Sequence, residues 1–486
     1  MTALDDFKAA LKGAEVHDQI RKGLIGENVQ IDGPFGPKPL IYADYVASGR
    51  ALAQVEDFIR DRVLPYYANT HTQASFCGEY MTKLREAARA EIARLTGAGP
   101  GMSVVFTGAG STAGINRIVG LLDLAKMVRD GQRVVVLTGP YEHHSNILPW
   151  RETGAEVIEV TEAPGGGVDL DDLARALQAA QGAARIVGTF SAASNVTGIL
   201  TDVDAVTRML RAHGALAIWD YGCAGPYCAM DMKPGSDAQK DAIVFSVHKF
   251  PGGPGSSGVA VIRDAIACRA TPTLPGGGTV SFVSPWGHVY SENLAAREEG
   301  GTPNVTGDIR AALAMLVKEA LGQDWLDKRQ AALRARALKI WAGNDRLEVL
   351  GLPDADALPI FSFRVQDGEG GQVHHQFFTR LLSDLTGVQA RGGCACAGPY
   401  GHRLLGLGKA DSDATIAALE QGEETAKPGW VRLNLSALMT DEKADFIIKA
   451  VDDLSRIAQD WADQYCVDTS TARFKAQALP KDTLAS

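Results

Sequence analysis

Phe245-Ser246-Val247-His248-Lys249-Phe250-Pro251-Gly252-Gly253 is the stretch of this sequence on which the fold prediction depends. An apolar, strand-like segment at 242–245 leads into it, and the Pro and Gly residues at its end cannot continue a helix or a strand. Lys249 therefore follows the end of a buried strand, where partial desolvation disfavours the ammonium and frees an amine to react with an aldehyde. An exposed surface lysine is the alternative.

A second strand-like segment, at 215–220, ends in Asp220, and the chain then turns through Gly and Pro residues. A carboxylate and an amine that each end a strand are the two groups that pyridoxal phosphate requires. The carboxylate holds the pyridinium nitrogen, and the amine reacts with the aldehyde. Asp220 and Lys249 together therefore predict a pyridoxal phosphate site.

The chain around these residues alternates between strand-like and helix-like runs. These runs follow one another at 157–160, 170–181, 185–190, 202–212 and 215–220. Such alternation specifies a mostly parallel sheet with helices on both faces, and ligands bind at the carboxyl ends of its strands. The predicted fold class is α/β, with a smaller α+β unit that begins on a long helix at 308–344.

Composition narrows the classes of protein. The 486 residues are 45% hydrophobic and 22% charged, which is ordinary for a globular chain of two or three domains. A net charge of −10 argues against a nucleic-acid or anionic-membrane partner. No apolar run is long enough to span a membrane, no basic-then-apolar signal opens the chain, and the seven cysteines form no disulfide framework. We therefore expect a cytoplasmic protein.

Local patterns predict further elements. Apolar spacing predicts single helices at 4–22 and 441–465, and the helix that begins near Ser111 is expected to run to about residue 128. The tail after Cys466 is expected to be loosely ordered.

Around Asp220 and Lys249 the sequence resembles the class V aminotransferase group of fold-type-I pyridoxal phosphate enzymes, and within it the cysteine desulfurase/selenocysteine lyase branch. The stretch 142–150, Glu-His-His-Ser-Asn-Ile-Leu-Pro-Trp, is very similar to the Glu-His-His-Ala-Asn-Ile-Val-Pro-Trp segment of desulfurases. The resemblance covers residues 40–455. It implies an N-terminal arm at 1–36, a large cofactor-binding domain at 37–306, and a small domain at 307–486 with a long insert at 406–429.

The resemblance also implies cofactor contacts. Ser111 and Thr112 follow a strand and a Gly turn, and hydroxyls with free amides at a helix N-terminus make a phosphate seat. A plain helix cap is the alternative. The remaining cofactor contacts that the resemblance implies are His143 on the pyridine ring, Asn195 on the phenolic oxygen, and Ser246 and His248 at the phosphate.

His143 and His144 admit a second interpretation, because adjacent histidines can bind a metal. No cysteine or carboxylate follows them at ligand spacing, so we predict no metal site. By the resemblance, His143 also moves a proton at the substrate thiol.

Two further positions bear on the cofactor. Desulfurases usually carry a glutamine three residues after the aspartate, where this chain has Cys223, so the ring-edge contact of that amide is replaced by a thiol. Thr302 lies in a Gly-Thr-Pro-Asn element whose threonine, in the family, reaches the phosphate of the neighbouring subunit. The resemblance therefore implies a homodimer with shared sites.

A cysteine pair marks the small domain. The run 391–400, Arg-Gly-Gly-Cys-Ala-Cys-Ala-Gly-Pro-Tyr, is similar to the Arg-x-Gly-His-His-Cys-Ala-x-Pro of second-type desulfurases, which places Cys396 on the catalytic cysteine. The Cys-x-Cys pattern looks more like the desulfurase domain of molybdenum cofactor sulfurases. In an extended stretch Cys394 and Cys396 would face the same way, so that Cys394 could share a sulfane sulfur. A small buried pair is the alternative.

Substrate contacts follow from the same resemblance. Arg432 matches the arginine that clamps the substrate carboxylate, and a guanidinium fork suits a carboxylate. Ala47 lies in the run 42–50, which resembles the family's Tyr-Leu-Asp-Asn-Ala-Ala segment beside that carboxylate, and Asn195 completes the set.

The implied reaction converts L-cysteine to L-alanine and leaves the sulfur on Cys396 as a persulfide, for delivery to a sulfur-acceptor protein. Lys249 takes the Cα proton while Asp220 keeps the ring cationic. A class V aminotransferase or epimerase, or a selenocysteine lyase, that acts on another small amino acid is the alternative. A sulfur carrier or scaffold without turnover is a third reading, which the intact Asp220–Lys249 pair disfavours.

Overall fold

The computed structural model describes residues 3–70 and 72–477. Its largest element is a seven-stranded sheet in the order β1-β7-β6-β5-β4-β2-β3. The strands are β1 (Met102–Gly108), β2 (Val134–Thr138), β3 (Glu156–Glu159), β4 (Arg185–Ser191), β5 (Leu216–Asp220), β6 (Ala242–Phe245) and β7 (Gly258–Arg263). Neighbouring strands are parallel except at β7, which is antiparallel to β1 and β6. The predicted mostly parallel sheet is confirmed.

Both faces of this sheet are covered, which explains why β2, β5 and β6 are buried at every residue. Two hydrophobic cores pack against the sheet, one on each of its faces. The α-helices of this unit are Phe76–Leu95, Gly110–Leu122, Leu124–Arg129, Leu148–Arg151, Leu170–Ala179, Val203–Ala212, Leu294–Glu298 and Val305–Leu321.

The small α+β unit is built on an antiparallel sheet in the order β8-β9-β12-β11, with β10 paired to β9. Its strands are β8 (Leu347–Val349), β9 (Ile360–Gln366), β10 (Gln372–Val373), β11 (Arg391–Gly393) and β12 (Trp430–Asn434). Its helices are Gln323–Trp341, His375–Thr386, Gly398–Leu405, Lys409–Glu420 and Asp441–Ile457. The predicted insert at 406–429 thus contains a helix of its own.

Short elements complete the chain. A parallel pair joins Ile41–Tyr42 to Val388–Gln389, and antiparallel pairs join Gln30–Ile31 to Lys38–Pro39 and Val280–Ser284 to Gly287–Tyr290. Short helical segments cover Ala53–Phe58, Ile59–Val63, Leu64–Tyr66, His144–Asn146, Val247–Lys249, Asp264–Ile266 and Glu424–Ala426. Over residues 3–70 and 72–477, no helix combines the length and the apolar character that a membrane crossing requires.

The domain boundaries stay predictions, and the packing of one helix bears on them. Helix Val305–Leu321 belongs to the core of the large sheet, and so does Leu326 in the next helix. Leu333, two turns later, belongs to the core of the small unit. We therefore propose that the boundary lies within Gln323–Trp341 rather than at residue 307. The first two residues of the predicted arm and residues 478–486 of the predicted small domain lie outside the described residues.

Three predicted continuous helices are wrong, each for the same backbone reason. The predicted helices at 4–22 and 308–344 are each divided in two, with Gly13 at φ +133° and Gly322 at φ +78° in the breaks. The helix that begins at Gly110 ends at Leu122 because Asp123 has φ 53°. A right-handed helix cannot pass through a residue of positive φ.

The C-terminal prediction is also wrong in part. The helix from Asp441 ends at Ile457 and continues as a 3₁₀ segment, Ala458–Gln464. Up to residue 477 the tail forms an antiparallel hairpin, Tyr465–Asp468 with Arg473–Ala476, instead of a loosely ordered chain. We call it the C-terminal hairpin. It is held because Phe474 packs its ring against Phe377 at a centroid distance of 5.5 Å. Residues 478–486 of the predicted tail lie outside the described residues.

Gly258 allows β7 to pass the turn after β1. A Cβ on Gly258 would lie 2.5 Å from Cα and 2.6 Å from N and O of Gly110, all of them backbone atoms. We expect Gly258→Ala to lower the free energy of unfolding by about 1–3 kcal/mol, because the turn must move. Urea unfolding followed by circular dichroism measures this loss. Gly343→Ala is the control, since no atom of the described residues lies within 4 Å of its added Cβ; equal stability of the two variants would contradict the prediction.

Candidate active site

A cavity of about 210 Å³ opens at the carboxyl edge of the parallel strands. Asp220 ends β5, Lys249 lies four residues after β6, and both line this cavity, as predicted for a shared ligand. The other predicted residues in its lining are Ser111, Thr112, His143, Asn195, Cys223, Ser246 and His248. The predicted residues outside its lining are Ala47, Thr302, Cys396 and Arg432.

Burial determines which charge states Asp220 and Lys249 favour. It lowers the pKa of Lys249, against the opposing effects of Cys223 and Asp220, and so favours the free amine. Burial also raises the pKa of Asp220, while the N–H of Gly222, which donates to Oδ1 at 2.6 Å, favours the carboxylate. Both groups are thus held away from water, and a cationic ring nitrogen would favour the ionised form of Asp220.

The predicted phosphate seat is assembled from two strand ends. The N–H of Ser111 donates to Oγ of Ser246 at 2.8 Å, and the two hydroxyls lie 3.1 Å apart. Gly110 begins the helix at φ +60°, and a Cβ there would lie 2.6 Å from Oγ of Ser246. Hydroxyls, a helix N-terminus and a turn without side chains therefore meet at one end of the cavity, which fits a phosphate group. The half-buried His248 lines the same end, and burial lowers its pKa.

His143 is a neutral imidazole with a defined tautomer. The N–H of Ser145 donates to Nδ1 of His143 at 3.1 Å, so the ring proton is carried by Nε2. Burial first, and then the positive charge of Lys249, lower the pKa of His143 to about 4. Ser145 also places its Oγ 2.6 Å from Oγ1 of Thr112, which links the histidine to the phosphate seat.

Asn195 and Gly222 provide the sharpest test of whether pyridoxal phosphate fits. Oδ1 of Asn195 is buried and has no hydrogen-bond partner among residues 3–70 and 72–477, although its Nδ2 donates to the carbonyl of Ala395 at 2.8 Å. A Cβ on Gly222 would lie 2.6 Å from Oγ of Ser111 and 2.8 Å from Oδ1 of Asp220, so only glycine leaves room beside the carboxylate. The residues present therefore fit the group: a phosphate seat, an amine, a ring countercharge and an unmet polar atom line one cavity.

Cys223, the departure from the glutamine of relatives, is a neutral thiol here. Burial raises its pKa to about 11, although Lys249 and Arg432 oppose the shift. Its Sγ donates to the carbonyl of Ser194 at 3.6 Å. A neutral thiol makes a weaker contact with a ring edge than an amide does.

Arg432 is buried beside the cavity and is already paired. It donates to Oδ1 of Asp44 at 2.9 Å and to the carbonyl of Asn195 at 3.2 Å, while its Nε has no partner in the described part of the chain. Arg391 donates to Oδ2 of the same carboxylate at 2.9 Å. Two guanidinium groups share one aspartate, so the group keeps a net positive charge for a carboxylate. Ala47 follows in the same segment, and its N–H donates to the carbonyl of Asp44 at 2.9 Å.

The cysteine loop is a tight turn, so the expectation of an extended stretch is wrong. The N–H of Ala397 donates to the carbonyl of Cys394 at 3.2 Å, and both residues between them, Ala395 and Cys396, have positive φ (52° and 56°). Because the strand period does not apply to a turn, Cys394 and Cys396 are not constrained to face the same way. Both thiols are exposed.

This turn is fastened to the large unit. The N–H of His144 donates to the carbonyl of Cys396 at 2.9 Å, and the N–H of Gly398 donates to Nε2 of His144 at 3.0 Å. Together with the Asn195 contact, these bonds place the turn beside the cavity although Cys396 is not in its lining.

Thr302 is exposed and lies away from the cavity of its own chain. Its assignment to the site of a neighbouring subunit stays a prediction.

Sequence reasoning missed the roles of Ser145 and Asp44. Ser145 is the second residue of the helical turn His144–Asn146, and a capping role of His143 at that turn could have been predicted to bond its ring to the N–H of Ser145. Asp44 lies far along the chain from Arg391 and Arg432, and no local signal connects them.

An α/β fold with a mostly parallel sheet, a lysine and an aspartate at its carboxyl edge, and a phosphate seat on a helix N-terminus defines the fold-type-I class of enzymes. The chain belongs to the aminotransferase class-V family, whose sequence profile matches residues 41–442. The predicted family resemblance is thereby confirmed.

Similar proteins agree with this assignment. A probable cysteine desulfurase of Halalkalibacterium halodurans is 27% identical over 409 residues, which cover 81% of this chain and 96% of the relative. A probable cysteine desulfurase of Staphylococcus aureus strain COL is 28% identical over 411 residues, which cover 81% of this chain and 94% of the relative.

Solved structures share the fold. The apo cysteine desulfurase from Thermococcus onnurineus NA1 superimposes with a TM-score of 0.71 at 23% identity, covering 86% of this chain and 95% of that one. The cysteine desulfurase CsdA from Escherichia coli superimposes with a TM-score of 0.68 at 21% identity, covering 91% of this chain and 98% of that one.

The positive φ of Ala395 generates a prediction about strain. An L-residue in this region costs roughly 1–3 kcal/mol, whereas glycine adopts it freely but loses more entropy on folding. We expect Ala395→Gly to leave the thermal unfolding midpoint unchanged or higher. Ala397→Gly is the control, because Ala397 is buried at φ −129° and has no such strain to lose, so its midpoint should fall. A lower midpoint for Ala395→Gly than for Ala397→Gly would contradict the prediction.

The low pKa of His143 predicts a pH-dependent loss of stability. Its folded pKa of about 4 lies below the ordinary value of 6.5. Between these two values, the unfolded chain binds a proton that the folded chain does not, so the free energy of unfolding falls by roughly 3 kcal/mol as pH drops through this window. We expect His143→Asn to flatten this part of the profile, measured by urea unfolding from pH 7 to pH 4.5. His213→Asn, on the surface, should retain the wild-type slope; equal slopes in all three proteins would refute the assignment.

Proposed function

We propose that this protein is a pyridoxal-phosphate-dependent cysteine desulfurase that converts L-cysteine to L-alanine and retains the sulfur on Cys396 as a persulfide. The observation that carries the proposal is the convergence of Asp220 and Lys249, from two strand ends, on one cavity with a phosphate seat. The names of the relatives supply the substrate class.

Pyridoxal phosphate, when bound, supplies an aldehyde for the substrate amine and an electron-withdrawing ring for the bonds at Cα. Ser111, Thr112, Ser246 and His248 would hold its phosphate, and Asp220 would hold its ring nitrogen. Asn195 would satisfy its unmet Oδ1 with a protonated phenolic oxygen or an ordered water, while its Nδ2 holds the cysteine turn.

The chain's own groups would divide the remaining tasks. Arg432, oriented by Asp44, binds the substrate carboxylate. The Lys249 amine, favoured by burial, removes the Cα proton. His143 carries a proton on Nε2 at neutral pH and can exchange it with the substrate thiol.

Sulfur transfer is assigned to Cys396. Its thiolate attacks the substrate sulfur, the carbon–sulfur bond breaks, and a sulfur–sulfur bond forms, so that L-cysteine and Cys396–SH become L-alanine and Cys396–S–SH. The exposed position of Cys396 beside the cavity supports transfer onward to an acceptor.

We expect Cys396→Ser to lose at least about a hundredfold in alanine formation from L-cysteine while it retains bound cofactor. Alanine is measured by mass spectrometry and the cofactor by its visible absorbance. Cys466→Ser, another exposed free cysteine, is the matched control and should behave as the wild type. Undiminished sulfur release by Cys396→Ser would defeat the assignment.

Amino-group transfer, or epimerisation, of another small amino acid is a second candidate, because Cys396 is outside the cavity lining while the neutral thiol of Cys223 is within it. Turnover that requires a keto acid and produces no sulfide would identify a transferase. Selenocysteine lyase activity uses the same groups, and release of selenide without sulfide would identify it.

We further propose a cytoplasmic homodimer. Seven free cysteines within the described chain agree with a reducing compartment. The exposed Thr302 and an exposed apolar hairpin at 280–290, where Phe282 is 63% and Trp286 is 92% exposed, agree with a face covered by a second copy. Sedimentation of a monomer at micromolar concentration would contradict the dimer.

A further inference from the structure

A second cavity, of about 440 Å³, lies on the other side of the cysteine turn. Cys394 lines it, whereas Cys396 lines neither this cavity nor the first. Its walls come from the cysteine turn, the insert with helix Lys409–Glu420, and the tip of the C-terminal hairpin.

The walls of the second cavity are joined to each other by a hydrogen bond. The N–H of Glu424 in the insert donates to the carbonyl of Thr469 in the hairpin at 2.9 Å, which joins two of the walls. The hairpin lies beyond residue 442, where the family match ends. The family profile therefore does not extend over this wall of the second cavity.

Two imidazoles accompany the thiol in this cavity. Nδ1 of His402 lies 2.8 Å from the carbonyl of Gly398 and donates to it, so Nε2 is left as an acceptor. Burial, and then the neighbouring His374, lower the pKa of His375 to about 4, so this ring is neutral at pH 7. The cavity is thus lined by a thiol, which is a nucleophile, and by two imidazoles, which are candidate bases for its proton.

The walls indicate the size and polarity of a ligand. A volume of this size falls within the range of small-molecule sites, roughly 300–1,000 Å³. The charged residues of the lining, Lys427 and Glu424, neutralise each other at 2.5 Å. The fully buried Trp430 keeps an indole N–H without an acceptor among the described residues. The apolar part of the lining comprises Leu405, Leu407, Ile416, Pro428, Trp430 and Ala472.

The turn keeps the backbones of the two cysteines close together. Residues two apart have Cα atoms at most about 7.6 Å apart, and less in a turn. The turn from Cys394 to Ala397 is closed by a hydrogen bond. Cys396 is held next to the first cavity by His144, while Cys394 opens into the second.

We propose that Cys394 takes the sulfane sulfur from Cys396 and passes it to a small thiol with an apolar body, bound in the second cavity. This proposal rests on the proposed desulfurase function. In the first step Cys394–SH attacks Cys396–S–SH at its outer sulfur; the bond to Cys396 breaks, a bond to Cys394 forms, and the proton of the Cys394 thiol passes to the Cys396 sulfur. In the second step the acceptor R–SH becomes R–S–SH and Cys394 returns to its thiol. No oxidant or reductant is consumed.

The relay is tested on the holoenzyme with one equivalent of L-cysteine, followed by alkylation and peptide mass spectrometry. In the wild type we expect the added sulfur on Cys396 in some molecules and on Cys394 in others. In Cys394→Ser we expect it on Cys396 alone, and in Cys396→Ser on neither position. Alanine formation without any sulfur on Cys394 would overturn the relay alone. Absence of alanine would overturn the proposed function, and the relay with it.

The cavity is tested with phenylmethanethiol as the acceptor and 2-mercaptoethanol as the small polar comparison. Ile416, which is 53% exposed in the lining, can be replaced by Trp to fill the space without disturbing a core. We expect Ile416→Trp and Cys394→Ser to lower the ratio of turnover with phenylmethanethiol to turnover with 2-mercaptoethanol at least about tenfold. Ile340→Trp, 41% exposed on a helix outside the cavity, is the control and should keep the wild-type ratio. An unchanged ratio in Ile416→Trp would overturn the assignment of the second cavity.

Discussion

Removing charged groups from water at one edge of a parallel sheet is the constraint on which the rest of this structure depends. Six of its strands run in one direction, so the chain leaves them all at the same edge and turns over it. Asp220, Lys249 and Glu142 lie there, and each would be costly to bury alone. Glu142 shows how the cost is met without a cation: burial raises its pKa to about 7, while Ser191 and Asn146 donate hydrogen bonds to it. At this edge, hydrogen-bond donors stabilise the buried carboxyl groups of Glu142 and Asp220. Lys249 differs from them, because burial favours its free and reactive amine.

The sequence was sufficient to predict this framework because it depends on local order. Apolar runs that end in a polar residue and a Gly turn mark strand ends at Asp220 and Lys249, and parallel topology brings such ends together. What local order could not show was where the backbone leaves the common regions of φ and ψ. Gly13, Asp123 and Gly322 all fall within plausible helical patterns, and the spacing of apolar residues does not show that the backbone has positive φ there. The same limitation hid the turn at Cys396, because a Cys-x-Cys pattern carries no signal for a left-handed backbone.

Contacts between distant segments were the second thing the sequence could not show. The C-terminal hairpin and the insert appear in the sequence as a tail and a polar loop, yet they meet through Glu424 and Thr469 and enclose a cavity. No periodicity in either segment predicts its partner. The surroundings of the cysteine turn therefore depend on contacts between segments that are far apart in the sequence.

Asp44 illustrates how one such contact would prepare the site for the carboxylate of the proposed substrate. An arginine held only by water would lose side-chain freedom when a carboxylate binds, and that loss would weaken binding. Here Asp44 and the carbonyl of Asn195 fix the guanidinium of Arg432 in advance, and Arg391 shares the same aspartate. With two cations to one anion, the group remains positive, so the aspartate orients the arginine without cancelling its attraction for a carboxylate. Because the Asn195 that contacts Arg432 also holds Ala395, a single residue connects the arginine proposed to bind the carboxylate with the cysteine turn.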